Sequence, residues 1–350
     1  MRQDKIIANI REIMRGESSP DPDTIRFLNQ HEAYYLLSKI PIYKSKQAVY
    51  LAVNQVAVKE RYKACEALFK ELNSSDISYA VIKGAVLSEQ IYGSTAYRRS
   101  GDIDLLIAPD AIQNVKTILE KHGFIQGRVV NDQIIPYSRQ ELIYQKTFTH
   151  QMAAFVKKMD SKLCPFINVD VNVDIFWGES SRKADMTTFL RNTQMYKIHD
   201  ILIRKLDPVF EFISLCMHHY KDFNSLYLLA DRGIKLSHFC DLFYYITNVS
   251  PDLQELKKVC CTYGVTEYVA FCIYHTNRLF PNERLQAYLA ALTDGANNTE
   301  YNRFGLTESE YKYLDFGISD YILDEELGNT FRSSLTAQDR TKIEINRKYM

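Results

Sequence analysis

Two aspartates one residue apart open an apolar run, Ser100-Gly101-Asp102-Ile103-Asp104-Leu105-Leu106-Ile107. Side chains alternate along a strand, so Asp102 and Asp104 leave from one face while Ile103, Leu105 and Ile107 enter a core from the other. Neighbouring carboxylates repel each other unless a cation sits between them. A hard divalent ion, Mg²⁺ first and Mn²⁺ second, suits an all-oxygen pair on a rigid strand. A lone Asp-x-Asp is more often a pair of solvated acids at a strand entrance. The residues around this pair change that reading.

Upstream, Tyr79-Ala80-Val81-Ile82 reads as a short buried strand running into Lys83-Gly84, and residues 85–92 have helical apolar spacing. Strand, glycine and helix in that order bring backbone close to a ligand at Gly84, with free N–H groups at the helix start to receive a phosphate. Lys83 adds a point charge to that phosphate. Such a glycine often serves packing alone. Beside a strand with two metal-type carboxylates it reads as a nucleotide site, phosphates on Gly84 and metal on Asp102 and Asp104. A third acid would complete a two-ion arrangement, in which ions roughly 3.5–4 Å apart clamp attacking and leaving oxygens. The run from Phe166 to Trp177 alternates valine or isoleucine with polar residues, which predicts a strand over 167–176. Asn168, Asp170, Asn172 and Asp174 then share one face. A surface strand of an antiparallel sheet would show the same alternation, but three acids on two strands are harder to dismiss. Asp170 and Asp174 lie roughly 13 Å apart at strand rise, so only one of them can complete the set.

Lys83-Gly84, the approach through Arg98 and Arg99, and then Asp-Ile-Asp-Leu-Leu-Ile resemble the uncharacterised nucleotidyltransferase family of the DNA polymerase β-like superfamily. The resemblance covers roughly residues 76–178. It continues more loosely into 236–243, which resembles that family's helix with a central aspartate, here Asp241. It implies an α+β fold: a small mixed nucleotidyltransferase sheet with helices, flanked by N-terminal helices and a C-terminal helical bundle. It also implies Mg²⁺-dependent transfer of a nucleoside monophosphate from an NTP, ATP among them, to an acceptor, with release of pyrophosphate. Asp102 and Asp104 would hold the ions, and the third acid would hold the ion at the acceptor or act as its base. Lys83 and Gly84 would cradle the β- and γ-phosphates, with Arg98 or Arg99 neutralising the leaving group. The wider superfamily opens with Gly-Ser or Gly-Gly, whereas this chain has Gly84-Ala85. Family members tend to carry an acid–apolar–histidine triplet on the third-acid strand. Here Asn172 takes the histidine's place if Asp170 is the acid, and Phe176 takes it if Asp174 is. The polar Asn172 favours Asp170; Trp177, an aromatic after the triplet, favours Asp174. The absent serine and histidine leave a second reading open, an inactive member that binds or assembles. A third is a tRNA-modifying toxin of the same superfamily.

Across the whole chain, 43 basic and 43 acidic residues balance, which disfavours a long nucleic acid or a membrane surface as partner but leaves a tRNA end open. The expected partners are therefore an NTP and a small-molecule, peptide or sugar-phosphate acceptor. The N-terminus lacks signal-peptide order, and no apolar run approaches the ~20 residues of a membrane span, so a cytoplasmic protein is expected. Seven scattered cysteines without Cys-x-x-Cys spacing read as reduced core thiols. His218 and His219 are adjacent and would diverge by about 100° on a helix, which argues against their sharing one ion. Arg232 and Lys235 precede the helix bearing Asp241; Lys235 is a candidate contact to triphosphate or acceptor, a structural ion pair being the plainer role. Some of the 24 tyrosines could stack on bases, while others are wall residues.

The elements that would position these groups divide the chain into four. Residues 1–75 read as a helical prefix, with helices over 24–40 and 45–72 punctuated by Pro20, Pro22 and Pro41. Residues 76–200 alternate strand and helix as a catalytic domain, with a helix over 111–122 and strands over 124–129, 145–153 and 167–176. Residues 201–294 read as a helical domain, with helices over 208–220, 235–247, 251–263 and 266–280. A polar extension, 295–350, starts with a loop over 295–298.

Overall fold

The computed structural model describes residues 2–17, 20–293 and 299–349; the loop expected over 295–298 lies outside the described residues. The fold is α+β. Two compact units divide the chain, one formed by residues 49–214 and the other by 1–48 with 215–350. The expected boundaries at 75 and 200 therefore fall inside the first unit, which draws helix from the N-terminal segment and a strand from beyond residue 200.

The first unit is built on an eight-stranded mixed sheet. Its strands are β1 (Tyr79–Ile82), β2 (Asp102–Ile107), β3 (Ile125–Val130), β4 (Gln133–Pro136), β5 (Phe155–Lys158), β6 (Phe166–Asn172), β7 (Thr193–Ile198) and β8 (Ile201–Leu206). Their order is β4-β3-β5-β6-β2-β1-β8-β7. At the centre, β2 runs antiparallel to β1 and parallel to β6. Period-2 alternation sorts these strands by face. Tyr79, Val81, Ile103, Leu105, Ile107, Ile167, Val169 and Val171 enter one apolar cluster with Val58, Tyr62, Leu68, Phe69 and Leu72 from the helices Pro41–Ala64 and Glu66–Ser74. Asp102, Asp104, Asn168, Asp170 and Asn172 are the intervening residues and leave from the opposite face. Burial of the first face fixes the register, because a slip of one residue would turn the carboxylates into the core.

Two parts of this unit depart from the sequence reading. Residues 145–153 are not a strand: the helix Arg139–Phe148 takes the first part of that span, and Gln151 forms only an isolated bridge to Asn172. A capping box starts it, with Ser138 Oγ accepting from the Glu141 N–H and the Glu141 carboxylate accepting from the Ser138 N–H. The strand expected over 167–176 ends at Asn172. Two tight hairpins are additional. Asn131-Asp132 joins β3 to β4 and His199-Asp200 joins β7 to β8, all four residues having positive φ, as a two-residue type I′ turn requires.

The second unit is helical, with a two-stranded ribbon formed by Arg303–Phe304 and Lys312–Tyr313. Its helices include Pro22–Gln30, Leu236–Tyr244, Leu253–Tyr263, Thr266–Leu279 and Glu283–Thr293. In the polar extension the chain forms the helices Glu325–Ser333 and Ala337–Tyr349. Among the described residues no helix is long and apolar enough to cross a membrane. All seven cysteines are free thiols, and only Cys261 is exposed.

Candidate functional site

Asp104 and Asp170 are directly opposed across the parallel β2·β6 ladder, and Asp102 opposes Asn168. Neighbouring strands lie about 4.8 Å apart, so three carboxylates project from one patch of sheet, two on β2 and one on β6. Asp174 is not among them. It lies past the end of β6, and its Oδ1 accepts the N–H of Phe176 at 2.9 Å and of Ala184 at 3.4 Å. Burial pushes its acid up from the ordinary range, partly offset by those N–H groups. That carboxylate ties a turn together.

Lys83 enters the acid patch directly. Its Nζ is 2.8 Å from Asp104 Oδ1, and both side chains are only 8% exposed. It arrives there through an unusual backbone, with φ +56° and ψ −146°, a conformation that side-chain-bearing residues rarely adopt and that costs on the order of 1–3 kcal/mol. Gly84 follows with φ +53°, and a Cβ there would sit 3.0 Å from Ser100 Oγ. Glycine is needed at this point for both reasons. The two positive φ values turn β1 sharply into the helix Gly84–Tyr92, whose N-cap residue Lys83 makes no side-chain capping bond. The first N–H groups of that helix are thus not capped by the residue before them, the local arrangement suited to a phosphate.

Asp102 is the strained acid. Burial raises its pKa, and the charge of Asp104 raises it further, against the opposing pull of Lys83, Arg98 and Arg61. Protein groups alone therefore disfavour its ionised form despite three cations nearby. An oxygen-seeking dication suits that donor set, three carboxylates on rigid strands, one of them a buried acid whose ionised form burial and Asp104 disfavour.

Several supporting residues carry no motif signal. Arg61, from the helix Pro41–Ala64, is buried and donates through Nη1 to the Ser100 carbonyl at 2.8 Å. Ser100 Oγ in turn donates to the Asp102 carbonyl at 3.1 Å. These bonds hold the entry to β2 in place. Asn172 Nδ2 lies 3.4 Å from Asp104 Oδ1 and 3.2 Å from the Leu105 carbonyl, while its Oδ1 accepts from Gln151 Nε2 at 2.8 Å. The amide that stands in the expected histidine's place thus leans on Asp104. Only Asn172 could have been picked out as part of the site, from the alternation on β6; Arg61, Ser100 and Gln151 lie in segments whose patterns gave element type but no hint of this role.

Of the expected phosphate-neutralising residues, Arg98 is half-buried and acts on Asp102, whereas Arg99 is exposed. Lys235 belongs to the helical unit. It precedes the helix Leu236–Tyr244, and its Nζ donates to the Gln30 carbonyl at 3.1 Å.

A family model described as uncharacterised nucleotidyltransferase matches residues 35–281, most of the chain. No curated protein matches it. Among solved structures it is similar to an antigenic nucleotidyltransferase-like protein from Paracoccidioides brasiliensis, at 14% identity and a TM-score of 0.31, over 67% of this chain and 88% of that one.

Proposed function

We propose, for a chain that belongs to the uncharacterised nucleotidyltransferase family, transfer of a nucleoside monophosphate from an NTP to an acceptor nucleophile, with release of pyrophosphate. The observation that carries this reading is the register of Asp104 against Asp170, with Asp102 on the same face, beside the Lys83-Gly84 turn. Asp102, Asp104 and Asp170 would hold Mg²⁺ or Mn²⁺. A bound ion of that kind would neutralise phosphate charge and lower the pKa of an acceptor hydroxyl. The first N–H groups of the helix Gly84–Tyr92 would receive phosphate oxygens, and Arg98 would offset charge that gathers on pyrophosphate. Lys83 would hold the Asp104 carboxylate in position through their 2.8 Å contact. Asp170, as the third acid, would hold the ion at the acceptor or act as its base. The acceptor favoured by the balanced charge of the chain is a small molecule, peptide or sugar phosphate.

The test is pyrophosphate release and label transfer from each α-labelled NTP with Mg²⁺, across panels of hydroxyl, amine and phosphate acceptors and a tRNA pool. Transfer by the wild type that disappears in Asp104→Asn supports the reading. A second reading, a non-catalytic nucleotide-binding module, is favoured by one feature, the 2.8 Å Lys83–Asp104 pair that already satisfies an expected metal ligand. Nucleotide binding by calorimetry that is indifferent to divalent ions, with no turnover in any panel, would establish that alternative.

A further inference from the structure

The helical unit carries a second cluster of metal-ligating side chains, unrelated to the acids on the sheet. The helix Pro208–Asn224 presents His218, His219 and Asp222 near its end, and one ligand-type atom from each lies within 4.8 Å of the other two. His218 and Asp222 share a helix face at i, i+4 spacing, with Nε2 3.3 Å from Oδ2. Cβ directions at 218 and 219 diverge, which is why the sequence argued against a shared ion. The side chains nevertheless come together. The two rings lie with centroids 5.5 Å apart and planes tilted by 43°, and a nitrogen of each comes within reach of Asp222.

A second helix, Leu236–Tyr244, adds Asp241, whose Oδ2 lies 3.8 Å from His219 Nε2 with the two side chains 1% and 0% exposed. His238 packs its ring 4.8 Å from that of His219. Its Nδ1 accepts the Lys235 backbone N–H at 3.3 Å, which leaves Nε2 as the protonated nitrogen of a neutral ring and makes it a wall of the site, not a ligand. Lys221 approaches the other oxygen of Asp222, Nζ to Oδ1 being 3.6 Å.

We propose that His218, His219 and Asp222, with Asp241 from the helix Leu236–Tyr244, form a structural site for a divalent transition-metal ion, Zn²⁺ before Mn²⁺. Tetrahedral bonds of about 2.0–2.2 Å put ligand atoms roughly 3.3–3.6 Å apart. The His218–Asp222 pair has that spacing already at 3.3 Å, His219 Nε2 lies 3.8 Å from Asp241 Oδ2, and the ion would draw these two pairs together. Two neutral imidazoles and two carboxylates sum to the charge that a dication neutralises. Imidazole donors also separate this site by ligand type from the all-carboxylate patch, which favours Mg²⁺. Binding would link the two helices.

The experiment uses the full chain with Asp102, Asp104 and Asp170 all changed to Asn, so that the sheet acids no longer contribute. After reconstitution with Zn²⁺ or Co²⁺ and desalting, metal content is measured by mass spectrometry, together with Co²⁺ visible absorption and thermal shift. The expected result is close to one equivalent, a Co²⁺ band of low-coordinate type, and a higher melting temperature with Zn²⁺. His218→Gln and Asp222→Asn, at the less buried positions, should each weaken binding at least tenfold with circular dichroism unchanged. Absence of stoichiometric metal in the folded protein overturns the proposal. So does undiminished binding in both single variants, or binding that vanishes when the sheet acids alone are replaced.

Discussion

At the scale of single residues, Asp102 is the most informative group. Its folded-state pKa is raised by burial and by Asp104, so its ionisation opposes folding. For an acid shifted upward the protonated form is the one the fold prefers. The loss of stability therefore begins as pH rises past the ordinary aspartate value of about 3.9 and is complete above the raised folded value. Asp102→Asn should remove that loss and so raise the melting temperature near neutral pH. The gain should fade as pH falls to the unfolded value. The same substitution should weaken Mg²⁺ binding, and adding Mg²⁺ should close the stability gap from the wild-type side. Calorimetric melting from pH 4 to 8, with and without Mg²⁺, checks all three; a variant that melts lower at pH 7 without metal contradicts the argument.

The choice between two acids is also settled by residue-level measurements. Asp170 sits in register with Asp104, while Asp174 accepts two backbone N–H groups outside the strand. Asp170→Asn should abolish single-turnover transfer with little change in melting temperature. Asp174→Ala should do the reverse, keeping transfer and losing about 1–3 kcal/mol as buried N–H groups lose their acceptor. Chemistry lost with Asp174 and kept with Asp170 would reverse the assignment. In sequence the two acids looked alike because alternation continues past Asn172. Nothing in period-2 patterning marks where a ladder stops, and the ladder stops where β6 runs out of paired neighbours.

At the scale of elements, the turn between β1 and the helix Gly84–Tyr92 was legible because Gly84 interrupts two apolar patterns of different period. The strand over 79–82 and the helix over 85–92 were readable for the same reason. What sequence did not carry was the strained Lys83 conformation, since lysine has no preference for positive φ. Gly84→Ala should cost about 1–2 kcal/mol from the left-handed backbone, with an added cost from the Cβ placed 3.0 Å from Ser100 Oγ. Pairing it with Ser100→Ala should recover only the second part, and the Michaelis constant for NTP should stay raised. Full recovery of stability would assign Gly84 to side-chain packing alone. The helix Arg139–Phe148 shows the opposite failure. Its start is set by the reciprocal Ser138–Glu141 bonds rather than by an apolar stripe, so a reading based on apolar periodicity takes its tail for strand. The hairpin turns Asn131-Asp132 and His199-Asp200 lack glycine, and their flanking strands carry charged residues, which conceals the signal.

At the scale of the whole molecule, charge and partition act together. The chain's 43 basic and 43 acidic residues leave no bulk attraction to phosphate backbones. Many of the basic residues are also committed to carboxylate partners, as Lys205 is to Glu211 at 2.7 Å and Lys83 to Asp104 at 2.8 Å. Counterion release scales with the number of phosphates a protein neutralises, and non-specific binding at physiological salt spans about 10⁻⁴–10⁻⁶ M for proteins with a basic face. A chain with no net positive charge is expected toward the weak end of that range. Fluorescence anisotropy with labelled duplex DNA in 150 mM salt should therefore give a dissociation constant weaker than about 10⁻⁵ M, with a shallow dependence on salt. The same titration with a tRNA pool separates the acceptor classes. Micromolar or tighter tRNA binding with a steep salt slope would reveal basic residues gathered on one face, a feature that overall composition averages away, and would move the acceptor from a small molecule to an RNA end. Weak binding to both, alongside nucleotide-dependent transfer to a small acceptor, is the outcome that the charge balance and the acid patch jointly predict.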